Sequence, residues 1–240
     1  MLLDQYYLRD DAGIAFTREQ ASRFAKEVAG DFNPLHDVAA KRFCVPGDLL
    51  FSVVLAEKGL HEKMAFRFSG MVTDGVPLFL QSPEPGHCVL VDESGKEYLH
   101  AECSGERSDN GRLVEDLIGK YVEFSGRTFP HILVPLLEKE GVMINPKRPM
   151  VIYERMEIAL DRLDVPSLDL TFAGADIEVN GKRGEVHLLF DLKAEGDRVG
   201  RGEKKMLLSG LMPYDAAAVD ALVSDFNAIK GSYDPANPAL

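Results

Sequence analysis

The chain has 240 residues, 45% hydrophobic and 28% charged, enough for one large domain or two small ones with a core of their own. Its net charge of −12, from 39 acidic and 27 basic residues, argues against general nucleic-acid binding, which needs a basic surface, and disfavours docking on an anionic membrane. Three cysteines (Cys44, Cys88 and Cys103) with no CxxC pairing argue against a disulfide framework or a zinc site and point to a reducing, cytoplasmic compartment.

The opening residues carry no basic stretch ahead of an apolar core, so no secretory leader is expected. Residues 17–30 predict a helix. Thr17 and Gln20 fit a capping box, and Ala21, Phe24, Ala25 and Val28 form one apolar stripe. Gly30 ends it. The run Gly30-Asp31-Phe32-Asn33-Pro34-Leu35-His36 follows, and it cannot continue a helix. Pro34 fixes its own φ and pushes Asn33 out of the helical region. Asp31 and His36 therefore sit on a stiff bend. A carboxylate beside an imidazole is the minimal kit for moving protons near neutral pH.

Lys41 and Arg42 come next, either a surface charge pair or a contact for a phosphate. Residues 48–58 predict a helix that is apolar almost all round and so buried on most sides. Its apolar run is too short to span a bilayer. Gly47 stands at its amino end, where backbone N–H groups lack intrahelical partners and the dipole favours negative charge.

The period then changes to two. Met64, Phe66 and Phe68 alternate with Ala65, Arg67 and Ser69, and residues 76–81 are apolar. Residues 87–92 and 97–103 flank a hairpin signal at 93–96. A buried helix followed by antiparallel strands is an α+β layout in which sheet covers helix. The order then recurs after a connection near 106–125. Residues 130–140 predict a second, shorter apolar helix, and strands follow at 151–160, 168–179, 184–193 and 203–212, with a hairpin turn at Asn180-Gly181. The glycines and lysines of 200–205 lack phosphate-loop spacing and predict a turn with solvated lysines. Residues 215–230 predict a closing helix with Val219, Leu222, Phe226 and Ile229 on one side, and 232–240 a loose tail.

The pattern Gly-Asp-x-Asn-Pro-Leu-His after an amphipathic helix resembles the signature of the MaoC-like dehydratases and (R)-specific enoyl-CoA hydratases. These are hotdog-fold enzymes, in which a curved antiparallel sheet wraps an apolar helix. The resemblance is tight over residues 17–60. It implies a double hotdog, two curved antiparallel sheets each wrapping a central apolar helix. Residues 1–108 would be the half carrying the motif, and 109–240 a degenerate half with a terminal helix. It further implies reversible hydration of an enoyl thioester, with Asp31 and His36 as base and acid and the Gly47 amide polarising the thioester carbonyl. Asn33 and Pro34 would organise the bend. Pro46-Gly47 stands where those hydratases carry His-Gly, and the segment from His36 to Gly47 is shorter than theirs. A Pro-Gly also opens the helix of the related hydroxyacyl-carrier-protein dehydratases, but Ser52, near the position of their helical acid, cannot serve as one. A hotdog thioesterase and a non-catalytic acyl-thioester binder therefore remain open.

The expected partner is a small-molecule acyl thioester, with CoA as part of the substrate and no separate cofactor, and a homodimer is admissible. The remaining histidines, His61, His87, His100, His131 and His187, show no ligand spacing, so no metal is expected. Cys44, near the bend, reads as a small buried thiol.

Overall fold

A computed structural model describes residues 3–235. Two short strands, β1 (Leu8–Asp10) and β2 (Gly13–Ala15), precede α1 (Arg18–Arg23). Thr17 caps α1 through the reciprocal box with Gln20. The helix then widens into a π-helical turn, Phe24–Ala29, and Gly30 closes it in the left-handed conformation (φ 65°). After a 3₁₀ turn at Pro34–His36 comes α2 (Gly47–Lys58). The strands β3 (Leu60–Phe68), β4 (Leu78–Gln81), β5 (His87–Asp92) and β6 (Glu97–Ser108) complete the first half.

The segment read as a connection at 106–125 is largely helical: α3 runs Gly111–Gly126 and is capped by the Asn110 side chain. Its missed signal is the row Leu113, Leu117, Tyr121 and Ser125, all buried and spaced four apart. Residues 128–139 fold as two short helices, α4 (Thr128–His131) and α5 (Leu133–Lys139), in place of one. The second half adds β7 (Val142–Met143), β8 (Val151–Leu160), β9 (Asp169–Asn180), β10 (Arg183–Ala194), β11 (Asp197–Ser209), β12 (Met212–Pro213) and α6 (Ala216–Ser232). The β9–β10 turn is Gly181-Lys182, one residue later than expected, because Asn180 pairs with Arg183.

One ten-stranded sheet runs β1-β2-β4-β5-β6-β3-β8-β11-β10-β9. Within this sheet the first strand after the helices of each half pairs with the last strand that the half contributes, β3 with β6 and β8 with β11, while β7 and β12 pair apart from it. The halves meet where β3 and β8 pair antiparallel. This is a double hotdog, its two sheets joined edge to edge.

The core lies between that sheet and the helices. In α2, Leu49, Leu50, Phe51, Val53, Val54 and Leu55 are all buried. Phe51 packs edge-on against Phe66 of β3, 4.9 Å between centroids, and against Tyr121 of α3 at 5.0 Å. Tyr121 and Phe124 in turn meet Phe190 of β10. The central helix of the second half is thus α3, while α5 covers a smaller cluster with Val186, Leu188, Met206 and Leu208. Of the closing helix, Val219 is buried and Ile229 exposed. Phe226 rests on Phe32 and Phe129, and Tyr233 on Phe32. The tail therefore starts packed, and residues 236–240 lie outside the described residues. No helix among the described residues is long and apolar enough to cross a membrane.

Candidate functional site

The π-helical turn delivers the chain into the bend. The Asp31 amide donates back to the Ala25 carbonyl at 2.8 Å, and the Asp31 Oδ1 accepts from the Asn33 amide at 2.9 Å. Asn33 Oδ1 accepts from the Leu35 amide at 3.1 Å, capping the 3₁₀ turn that Pro34 opens. The turn carries His36 back over Asp31, and His36 Nε2 stands 3.6 Å from Asp31 Oδ2. The other ring nitrogen, Nδ1, lies 2.7 Å from the Cys44 carbonyl. A carbonyl only accepts, so Nδ1 carries the hydrogen and Nε2 is left facing the carboxylate. Both side chains are partly shielded, the imidazole more than the carboxylate.

Gly47 opens α2 with Pro46 before it. The space beside its Cα is walled by aromatic rings. A methyl group there would meet Tyr153 at 3.0 Å and Phe68 at 3.4 Å, and those two rings stack with centroids 4.2 Å apart. Ser52 is fully buried, and its hydroxyl donates to the Asp48 carbonyl one turn back, at 2.6 Å. Lys41 and Arg42 are exposed. Burial pushes the Cys44 thiol up to about 11, against a weaker opposing hydrogen bond.

The structure adds a buried polar cluster that the sequence did not predict. Residues 200–205 are not a turn: they lie within β11, and Lys204 points inward with 5% of its surface exposed. The glycines at 200 and 202 sit under close neighbours, Ala159 and Phe190, which explains them without a turn. The Lys204 ammonium donates to the Ser125 hydroxyl, which donates to Asp48 Oδ2 at 2.5 Å. The same ammonium lies 4.2 Å from the centre of the Tyr153 ring. The Tyr153 and Tyr121 hydroxyls are hydrogen-bonded to each other. Asp48 follows Gly47 in α2 and is 7% exposed, and its Oδ1 is buried with no hydrogen-bond partner.

Burial drives the Asp48 carboxyl above the ordinary range, the Lys204 charge and the Ser125 hydrogen bond pull it back, and the charges of Asp31 and His36 also reach it. Burial likewise holds both tyrosine hydroxyls protonated well beyond their usual range. The cluster spans the two halves, with Asp48 from α2, Ser125 and Tyr121 from α3, Tyr153 from β8 and Lys204 from β11. The one trace of it in the sequence is a lysine at an inward position of an alternating strand, between Gly202 and Met206.

The family model described as "Protein of unknown function (DUF3581)" matches residues 1–217. No curated protein matches the sequence. Similar solved structures include a MaoC-like dehydratase, 11% identical over 84% of this chain and 97% of the other, with a TM-score of 0.42. A second is an acyl-CoA thioesterase II, TesB2, from Mycobacterium marinum, 12% identical over 90% and 100%, TM-score 0.41. A third is the peroxisomal multifunctional enzyme type 2 of Drosophila melanogaster, 11% identical over 80% of this chain and 47% of that one, TM-score 0.41.

Proposed function

This chain belongs to the family described as "Protein of unknown function (DUF3581)", and we propose that it acts on acyl thioesters as an (R)-specific hydratase or dehydratase. The observation that carries the reading is the approach of His36 Nε2 to within 3.6 Å of Asp31 Oδ2 on a rigid bend, with Nδ1 already committed to a carbonyl.

In the hydration direction Asp31 takes a proton from water as its oxygen attacks the β-carbon of the enoyl thioester. His36, protonated at Nε2, delivers a proton to the α-carbon. Return of the proton from Asp31 to His36 across the short gap restores the pair, and the net change is addition of one water. The developing charge on the thioester oxygen needs a fixed donor, and the Gly47 amide at the positive end of α2 is the group offered. Tyr153 and Phe68 form the wall beside it. Acyl-thioester chemistry in a single half also suits the asymmetry of the chain, since no Asp-x-Asn-Pro-x-His recurs in the second half.

The test is turnover of a panel of trans-2-enoyl-CoA chain lengths, followed by loss of absorbance of the conjugated thioester. Asp31→Asn and His36→Ala should each lower kcat by about 10²-fold or more with unchanged circular dichroism. Release of free thiol from saturated acyl-CoA would select a thioesterase. Acyl-CoA binding without turnover would select a binding protein.

A further inference from the structure

A second set of chemistry-bearing side chains lies away from the bend, on the outer face of the sheet between β5 and β6. The register pairs His87 with Glu102, Cys88 with Ala101 and Val89 with His100. Cys88 and Ala101 point into the core, so His87, His100 and Glu102 project together on the opposite face. One ligand atom from each lies within 4.8 Å of the others. His87 Nδ1 and His100 Nε2 are 3.1 Å apart. Two nitrogens held at about 2.0–2.1 Å by a tetrahedral zinc ion stand about 3.3 Å apart, so the rings already have the spacing that a shared metal imposes. The Glu102 carboxylate, the third member of the cluster, is exposed. On the other side of His87, Glu84 Oε1 is 3.7 Å from Nε2, a carboxylate placed to orient the ring.

We propose that His87, His100 and Glu102 form a divalent transition-metal site, suited to zinc, with a fourth position open to solvent. Two imidazoles and a carboxylate are a donor set for zinc and its late first-row neighbours rather than for calcium or magnesium. The site is independent of the Asp31–His36 chemistry. It staples the two strands from outside.

A contrast within the same molecule sharpens the argument. His187 also faces two carboxylates, but Glu203 and Glu185 already engage both of its nitrogens, and the Lys205 ammonium sits 2.6 Å from Glu185. A cation already fills that cluster. His87 is hydrogen-bonded through Nδ1 to His100 and faces Glu84 with Nε2, but among the described residues no lysine or arginine is bridged to Glu84 or Glu102, so no cation fills this cluster.

The experiment is calorimetric titration of the EDTA-stripped full chain with ZnCl2, repeated with CoCl2 while visible absorption is followed. One equivalent should bind with a dissociation constant on the order of 10 μM or tighter. His87→Ala and His100→Ala should each weaken binding by about tenfold or more, and Glu102→Gln should weaken it too. His187→Ala should leave it unchanged. All four changes are on the sheet surface, and circular dichroism checks their folding. Absence of saturable binding overturns the proposal, as does equal binding by a folded His87→Ala/His100→Ala double variant. If a histidine variant unfolds, undiminished affinity in Glu102→Gln together with a featureless cobalt spectrum overturns it.

Discussion

A lysine ammonium held away from solvent costs free energy unless another charge answers it, and Lys204 is answered by Asp48 through Ser125. Lys204→Met removes that answer and strands a buried carboxylate. The expected loss is about 3–5 kcal/mol of unfolding free energy by urea titration at pH 8. The loss shrinks as the pH is lowered, because the Asp48 carboxyl, raised by burial, neutralises sooner than an exposed one would. Adding Asp48→Asn to Lys204→Met should recover much of the stability, and a full cycle of the two changes measures the coupling. His187 obeys the opposite sign. Burial pulls its pKa down, but Glu203 and Glu185 outweigh that and hold it above 6.5. A raised histidine contributes its stability in full below the ordinary value and loses it as pH rises through the folded one. His187→Gln should therefore lower the melting temperature at pH 5.5 and leave it nearly unchanged at pH 9. At this scale the bend was legible from Pro34, Asn33 and Gly30 alone, because their backbone limits are local. Lys204 was not, because its partner lies 156 positions earlier and nothing local announces a buried cation.

Elements position the bend as much as its own residues do. The carboxyl end of α3 presses on the π-helical turn: a methyl group at Gly126 would meet the Ala29 carbonyl oxygen at 2.1 Å, two residues before Asp31. No rotamer relieves a clash with backbone, so Gly126→Ala must move α3 or the turn. We expect about 1–3 kcal/mol of destabilisation by thermal or chemical melting. We also expect a fall in any Asp31-dependent turnover larger than the residual unfolded fraction explains. From the other side, Phe226 of α6 and Tyr233 just after it hold Phe32, and the Tyr233 hydroxyl donates to Glu27 at 3.0 Å. The helices at 17–30 and 48–58 were readable from capping and from uniform apolarity. The true central helix of the second half was missed because its stripe is interrupted by charge, and the apolar proline-bearing run after it is the stronger local signal.

At the scale of the whole molecule, the two halves share one sheet and one main core, with α2 packed on α3 across the seam. Neither half buries its helix alone. Residues 1–108 expressed separately should show neither cooperative melting nor native circular dichroism. The full chain should melt in a single transition, with calorimetric and van't Hoff enthalpies in agreement. The alternation in β3 and β10 foretold strands, but their order in space, and the meeting of β3 with β8, depend on contacts far apart along the chain that no local period encodes.

The bridge from Lys204 through Ser125 to Asp48 also bears on how such a chain can drift over generations. A charge buried in one half and balanced from the other leaves neither position free to change alone. Here Lys204 of β11 lies behind Asp48 of α2, so positions 48 and 204 are bound to a common fate. Aligned relatives that have lost the acid at 48 should have lost the cation at 204 as well, and a lineage in which one vanishes while the other persists would break that bond.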